Sequence, residues 1–234
     1  MSFNMRLYSD YVRSIGNINI DTSNKCTLQC VFCMRQTKNG KKKIKRSGTM
    51  SFHDWKLCTQ LTKTVTMCGQ ISDPIYHPNF ISFLRYAGQN NTHVCIHTNG
   101  SGKKKEFWEE CFSLKGQFRW VFGIDGLDQK TVNLHRIGQN FHQSYKAMLM
   151  GSKASRNHYI IWQFIPFLHN EEQLPRAIDT AHRHNIDFVI LKSHRHNSNQ
   201  NIIVNNKPIK RDWIHPPRSQ NLYSSNEHAH KEYV

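Results

Sequence analysis

Six short apolar runs alternate with helix-like segments over most of this 234-residue chain, and no other feature constrains the fold as strongly. The runs are Ile15–Ile20, Val65–Cys68 before Gly69, His93–His97 before Thr98-Asn99-Gly100, Phe118–Ile124 before Asp125-Gly126, Tyr159–Ile165 before Pro166, and Ile186–Leu191. Short β-branched or aromatic runs bounded by turn residues carry the strand signature. Between them, Ser51 and Asp54 can cap a helix that includes Trp55, Leu57, Cys58 and Leu61. Pro78–Tyr86, Lys104–Phe112, Gln129–His135, Gln143–Gly151 and Glu171–His184 complete the alternation. Strand–helix units in this order predict an α/β fold with parallel strands. A closed eight-unit barrel takes about 250 residues, so six units predict an open, partial (β/α)6 barrel. Chemistry in such sheets sits at the C-terminal strand ends, which singles out the loops after Ile20, Cys68, His97, Ile124 and Ile165.

On this reading residues 1–14 are a lead-in and 15–191 the barrel. From Lys192 the chain turns polar, with His194, Arg195, His196, Asn197 and Ser198 in succession. Residues 192–234 are expected to be an irregular C-terminal extension, partly docked and frayed at its end. Only 38% of residues are apolar, and no run approaches the ~20 residues of a membrane span. The start, MSFNMRLYSDYVRS, has no apolar signal core, so a cytoplasmic, reducing location is expected. Seven cysteines there point to metal binding or free thiols. A formal charge of +16 predicts anionic company without saying which.

Cys26-Thr27-Leu28-Gln29-Cys30-Val31-Phe32-Cys33 is the most informative stretch. Three thiols in the loop after the first strand can converge on one soft-metal centre. Structural zinc wants four ligands, often as two Cys-x-x-Cys pairs, and a second pair is absent. Three thiolates and one open position fit a four-iron cluster whose fourth iron takes a small molecule.

Cys-x3-Cys-x2-Cys with an aromatic before the last cysteine resembles the signature of the radical S-adenosylmethionine (radical SAM) superfamily. Supporting elements fall at the expected strand ends. Met67–Pro74 looks like the family's Gly-Gly-Glu-Pro or Gly-Asp-Pro element, and Thr98-Asn99-Gly100 like its Thr-Asn-Gly turn. Val121–Leu127 is similar to Ser-Ile-Asp-Gly-Leu, and Arg136-Ile137-Gly138 to the downstream Arg-x-Gly. Trp162–Ile165 and His169-Asn170-Glu171 resemble the fifth-strand element of the branch that includes many peptide-modifying members.

The resemblance implies that Cys26, Cys30 and Cys33 each hold one iron of a [4Fe–4S] cluster. S-adenosylmethionine would chelate the fourth iron and be cleaved reductively to methionine and a 5′-deoxyadenosyl radical, which abstracts hydrogen from the substrate. Phe32 would shield the cluster or the adenine. Asp73 would accept from the methionyl ammonium and Arg136 would pair with its carboxylate. Asn99, Asp125 and Gln163 would contact ribose or adenine, or support the loops. Three positions depart from the pattern: Ser72 stands where Gly is usual, Asp73 is shorter than the commoner Glu, and Gly123 stands where Ser is frequent. No cysteine follows Cys111, so the C-terminal auxiliary-cluster domain (SPASM-type) of related enzymes is not expected.

The remaining features read more plainly. Cys58, Cys68, Cys95 and Cys111 are expected as core thiols, with Cys68 nearest the cavity. Lys38, Lys41, Lys42, Lys43, Lys45 and Arg46 form either a phosphate-contacting arm or a mobile solvated loop. His182, His184, His194, His196, His215, His228 and His230 match no defined metal site. The five tryptophans read as packing residues. The leading expectation is a radical SAM enzyme served by an electron donor such as flavodoxin or ferredoxin, with no membrane partner. Its substrate would be a peptide or protein, or an anionic molecule such as RNA or a phosphorylated compound. The alternatives are a non-catalytic basic metal-binding module contacting nucleic acid, and an inactive cluster-binding relative.

Overall fold

The structure, a computed structural model, describes residues 16–154 and 157–191, with the backbone of 203–204 and 207–208. The lead-in and nearly all of the extension lie outside the described residues, as do Ile15 and Trp213. Six strands form the main sheet: β1 (Ile18–Ile20), β2 (Thr64–Met67), β3 (His93–Thr98), β4 (Phe118–Gly123), β5 (His158–Phe164) and β6 (Asp187–Ile190). Each pairs in parallel with the next, giving one sheet ordered β1-β2-β3-β4-β5-β6. This is the open α/β partial barrel expected. Beyond it, β7 (Ile203–Val204) and β8 (Lys207–Pro208) pair antiparallel.

Seven α-helices are described: α1 (Lys38–Arg46), α2 (Phe52–Leu61), α3 (Phe80–Gln89), α4 (Lys105–Ser113), α5 (Gln129–His135), α6 (Phe141–Ser152) and α7 (Leu174–Arg183). The first corrects the sequence reading, because the basic run is helical and not a mobile loop. Its start is capped by Thr37, whose hydroxyl accepts from Gly40 N. Helix α2 begins where expected: Ser51 accepts from Asp54 N, and its hydroxyl donates to Asp54 Oδ2 at 2.7 Å. Residues 171–184 form a 3-10 turn over Glu171–Gln173 followed by α7, with Pro175 in the first turn of that helix.

The two faces of the sheet differ sharply. Val65, Met67, Val94, Ile96, Trp120, Phe122, Ile160 and Trp162 point to the helices and share one core with Trp55, Phe83, Leu84, Trp108 and Met148. Full burial of such side chains contributes about 1.5–3 kcal/mol each, so this layer supplies the stability. On the inner face a small cluster of Cys95, Val121 and Ile161, flanked by Val189, stands apart from that core. Strand alternation puts Thr66, Cys68, His97, Arg119, Tyr159 and Gln163 on the same inner face. The inner face thus mixes this apolar cluster with polar side chains and meets the loops at the C-terminal strand ends.

Candidate active site

The cysteine loop lies across the C-terminal edge of the sheet and is fastened on both sides. Towards β2, Asp73 N donates to Lys25 O at 2.8 Å, and Thr27 Oγ1 meets the Tyr76 hydroxyl at 2.9 Å. Towards β4 and β5, Gln29 N donates to Ile137 O and Val31 N to His135 O, both at 2.9 Å. The structure therefore brings Cys26, Cys30, Cys33, Asp73, Asn99, Asp125 and Arg136 to one end of the barrel.

The thiols feel one another and their surroundings. Burial, aided by neighbouring Asp73, pushes the Cys26 thiol up to about 11. Burial also raises Cys30, opposed chiefly by the Arg136 guanidinium. Both interact with Cys33. Zinc would draw three ligands onto one point, yet among the described residues no three His, Cys, Asp or Glu side chains stand close enough to hold one ion. A cluster asks less of the loop, because each thiolate binds its own iron. Three soft donors with a buried cation beside them fit such an anionic group.

Asp125 is the hub of the β4 end. Its side chain is fully buried, and Arg136 Nε donates to Oδ2 at 2.6 Å. His135 Nδ1 donates to the same oxygen at 2.7 Å, and Ile165 N reaches Oδ1 at 2.9 Å. Burial alone would raise this carboxyl, but Arg136 and His135 outweigh it and hold it at about 2. Burial lowers His135, and its hydrogen bond to Asp125 opposes that shift. Arg136 Nη1 forms no hydrogen bond among the described residues, and Arg136 acts on both Cys30 and Cys33. Gly123 makes this placement possible: a Cβ there would lie 2.6 Å from Arg136 Nη2.

Asp73 anchors the β3 end. Its Oδ2 accepts from Asn99 N at 2.7 Å, from Asn99 Nδ2, and from Thr98 Oγ1 at 3.1 Å. Among the described residues Oδ1 takes only Ile75 N, at 3.3 Å. Burial pushes this carboxyl up to about 6. Asn99 Nδ2 also lies 3.9 Å from Cys26 Sγ, while its Oδ1 accepts from Ser101 N. Phe32 is buried against Phe167 (ring centroids 6.2 Å apart), and Phe167 stacks on His169 at 5.4 Å. Gln163 sits beside Gly123 in the sheet register, half-buried on the inner face.

Three further residues escaped the sequence reading, and His169 entered it only within the His169-Asn170-Glu171 element. Asp21 Oδ1 accepts from Ile71 N, Ser72 N and Ser72 Oγ at 3.0–3.2 Å, so Ser72 helps to shape the turn before Asp73. Gln139 Nε2 bridges Asn99 O and Gly123 O at 2.7 and 2.9 Å, tying the β3 and β4 ends together. His135 completes the Asp125 hub, one residue before the arginine. His169 has two buried ring nitrogens without hydrogen-bond partners among the described residues, and burial lowers it to about 4. Of the other thiols, Cys95 and Cys111 are buried and Cys58 and Cys68 are half-buried. Cys68 donates to Ile20 O at 3.3 Å on the inner face. Trp55, Trp108, Trp120 and Trp162 are packing residues, as expected.

A thiol-bearing loop over the C-terminal edge of an open parallel sheet, with a buried arginine behind it, defines a cofactor-binding partial barrel. The chain belongs to the radical SAM superfamily, whose family model matches residues 20–181. Members of this superfamily are enzymes that use a [4Fe–4S] cluster and S-adenosylmethionine. Among solved structures, it is similar to SuiB of Streptococcus suis bound to the precursor peptide SuiA, with TM-score 0.64 and 18% identity over 82% of this chain and 42% of SuiB. It is also similar to methylornithine synthase (PylB), with TM-score 0.53 and 13% identity over 82% of this chain and 61% of that one. A third, anSMEcpe with bound AdoMet and Cp18Cys peptide, has TM-score 0.53 and 12% identity over 76% of this chain and 50% of that one. At these identities the likeness is one of fold, and the chain spans less than two thirds of each of these three neighbours. No curated protein matches the chain. Among the described residues no helix is long and apolar enough to cross a membrane.

Proposed function

We propose that Cys26, Cys30 and Cys33 hold a [4Fe–4S] cluster and that the chain initiates hydrogen abstraction from a peptide or protein substrate. The observation that carries this reading is the fastening of the three thiols beside the buried Arg136. Together, the bound cluster and S-adenosylmethionine supply reductive cleavage of a sulfonium C–S bond and, through it, abstraction of a substrate hydrogen.

The chain's own groups have distinct tasks. The raised Cys26 and Cys30 thiols are protonated before loading and release those protons as they become ligands. Arg136, aligned by Asp125, turns its unengaged Nη1 to the methionyl carboxylate. Asp73 Oδ1 is the carboxylate atom with capacity left for the methionyl ammonium, since Oδ2 already accepts three hydrogen bonds. Asn99 holds Asp73 in place, Gln139 locks the Asn99 and Gly123 loops together, and Gln163 faces the inner cavity. The Phe32–Phe167–His169 stack keeps water from the site.

An open barrel has room for an extended substrate at its inner face. SuiB and anSMEcpe each hold a peptide, which supports that class, as does the resemblance of Trp162–Ile165 to peptide-modifying members. Anaerobic reconstitution followed by dithionite tests the reading. The account expects 5′-deoxyadenosine from wild type and none from Cys30→Ala, whereas zinc binding without cleavage would contradict it.

A further inference from the structure

The basic helix beside the cysteine loop has no task in the reading above. We propose that α1 is the docking surface for a small acidic one-electron carrier protein; this rests on the cluster reading of the triad. Six of its nine residues are Lys or Arg, none is acidic, and all six basic side chains are exposed. Among the described residues none of the six forms an ion pair. Crowded like charges disfavour an isolated helix, so tertiary bonds must hold this one.

Those bonds come from the cysteine loop and its neighbours. Asn24 Nδ2 donates to Ile44 O at 3.3 Å and Ser47 O at 3.1 Å, gripping the C-terminal end of α1. Arg35 Nη1 donates to Asn24 O at 2.8 Å and to Ile71 O, clamping the segment between Cys33 and the helix. Gly40 packs so closely that a Cβ would fall 1.8 Å from Met34 O. The charge is therefore displayed on a fixed plate joined to the thiols. It adjoins the β1–β2 side of the loop, whereas Arg136 approaches from the β4–β5 side.

Fixed charge of one sign beside a redox centre steers an oppositely charged partner and raises its association rate. A single-stranded nucleic acid would want aromatic stacking as well, and α1 has no aromatic residue. An acidic protein fits better. In the transfer, one electron leaves the reduced carrier and enters the triad's cluster; no bond forms or breaks and no proton moves.

The test uses the full chain and an acidic plant-type ferredoxin. Calorimetry at about 10 mM salt should show binding that weakens at least ~10-fold in Lys41→Glu/Lys42→Glu/Lys45→Glu. Binding by wild type should also weaken towards about 100 mM salt, where the Debye length shrinks from about 30 to about 10 Å. In the reconstituted protein, ferredoxin-driven turnover should fall in the variant while dithionite-driven turnover holds. If the variant loses both, the wild-type salt series decides: the ferredoxin-driven rate should fall with salt and the dithionite-driven rate should not. Equal ferredoxin binding by both proteins, or salt-insensitive binding, would overturn the docking surface. RNA binding that depends on α1, without ferredoxin binding, would overturn it in favour of nucleic acid. No dithionite-driven 5′-deoxyadenosine from wild type would instead overturn the cluster reading itself.

Discussion

Arg136 donates Nε to Asp125 Oδ2 at 2.6 Å, with the carboxylate fully buried and the arginine 12% exposed. A buried pair of this kind is weak evidence for stability, but removing one partner strands the other charge. Asp125→Ala should therefore cost about 3–5 kcal/mol in urea unfolding of the metal-free protein. A loss below about 1 kcal/mol would mean that Arg136 finds another anion or reaches water.

The same carboxyl predicts an acid limb. Its folded value of about 2 lies below the ordinary 3.8, so the unfolded chain binds the proton more readily. The stability it contributes is complete above about pH 4 and drains away as pH falls towards 2. Unfolding free energies of wild type should fall across that window, and those of Asp125→Asn should fall less. Parallel curves would remove Asp125 as the source.

Gly123 departs from the serine frequent at its position, and the structure supplies a reason. A Cβ would meet the Arg136 guanidinium at 2.6–2.8 Å. The obstacle is the far end of a flexible side chain, so the fold survives but the fork onto Asp125 must shift. Gly123→Ala should cost about 1–2 kcal/mol and weaken S-adenosylmethionine binding, read by denaturation and by calorimetry on reconstituted protein. Unchanged affinity would separate Arg136 from the methionyl carboxylate.

Ser72, another departure, makes a compensating bond. Its hydroxyl donates to Asp21 Oδ1 at 3.0 Å, while Ile71 N and Ser72 N use the same oxygen. Ser72→Gly should cost about 1 kcal/mol, since one hydrogen bond is lost and the carboxylate keeps two donors. Asp21→Ala leaves three donors unpaired and should cost more. The reverse order would contradict this account of the turn.

The raised thiols make a chemical prediction. Cys26, pushed up to about 11, is only about one-thousandth ionised at pH 8. In metal-free protein, mass spectrometry should find Cys26 and Cys30 alkylated by iodoacetamide far more slowly than a model thiol. Rapid alkylation of both would mean that the loop opens in solution.

The sheet was legible because each strand announces itself locally, by composition and by a closing turn such as Asp125-Gly126. Helix α1 was not, because Lys-Asn-Gly-Lys-Lys-Lys-Ile-Lys-Arg has almost no apolar face; distant bonds from Asn24 and Arg35 hold it. Helix α6 starts two residues before the expected Gln143, since Asn140 accepts from Gln143 N and sets the cap. At the site, the cysteine spacing was plain. The partners of Asp125 and Asp73 were not, because Gln139, His135 and Asp21 meet their targets only once separate strand ends are side by side. Cys95, expected to be a simple core thiol, is buried on the inner face with Val121 and Ile161.

The central claim is tested most directly by measuring iron, sulfide and 5′-deoxyadenosine together after anaerobic reconstitution of the full chain. The account predicts about four irons and four sulfides per chain, and dithionite-dependent 5′-deoxyadenosine that disappears in Cys30→Ala. Stoichiometric zinc, or a loaded cluster that never cleaves S-adenosylmethionine, would contradict it.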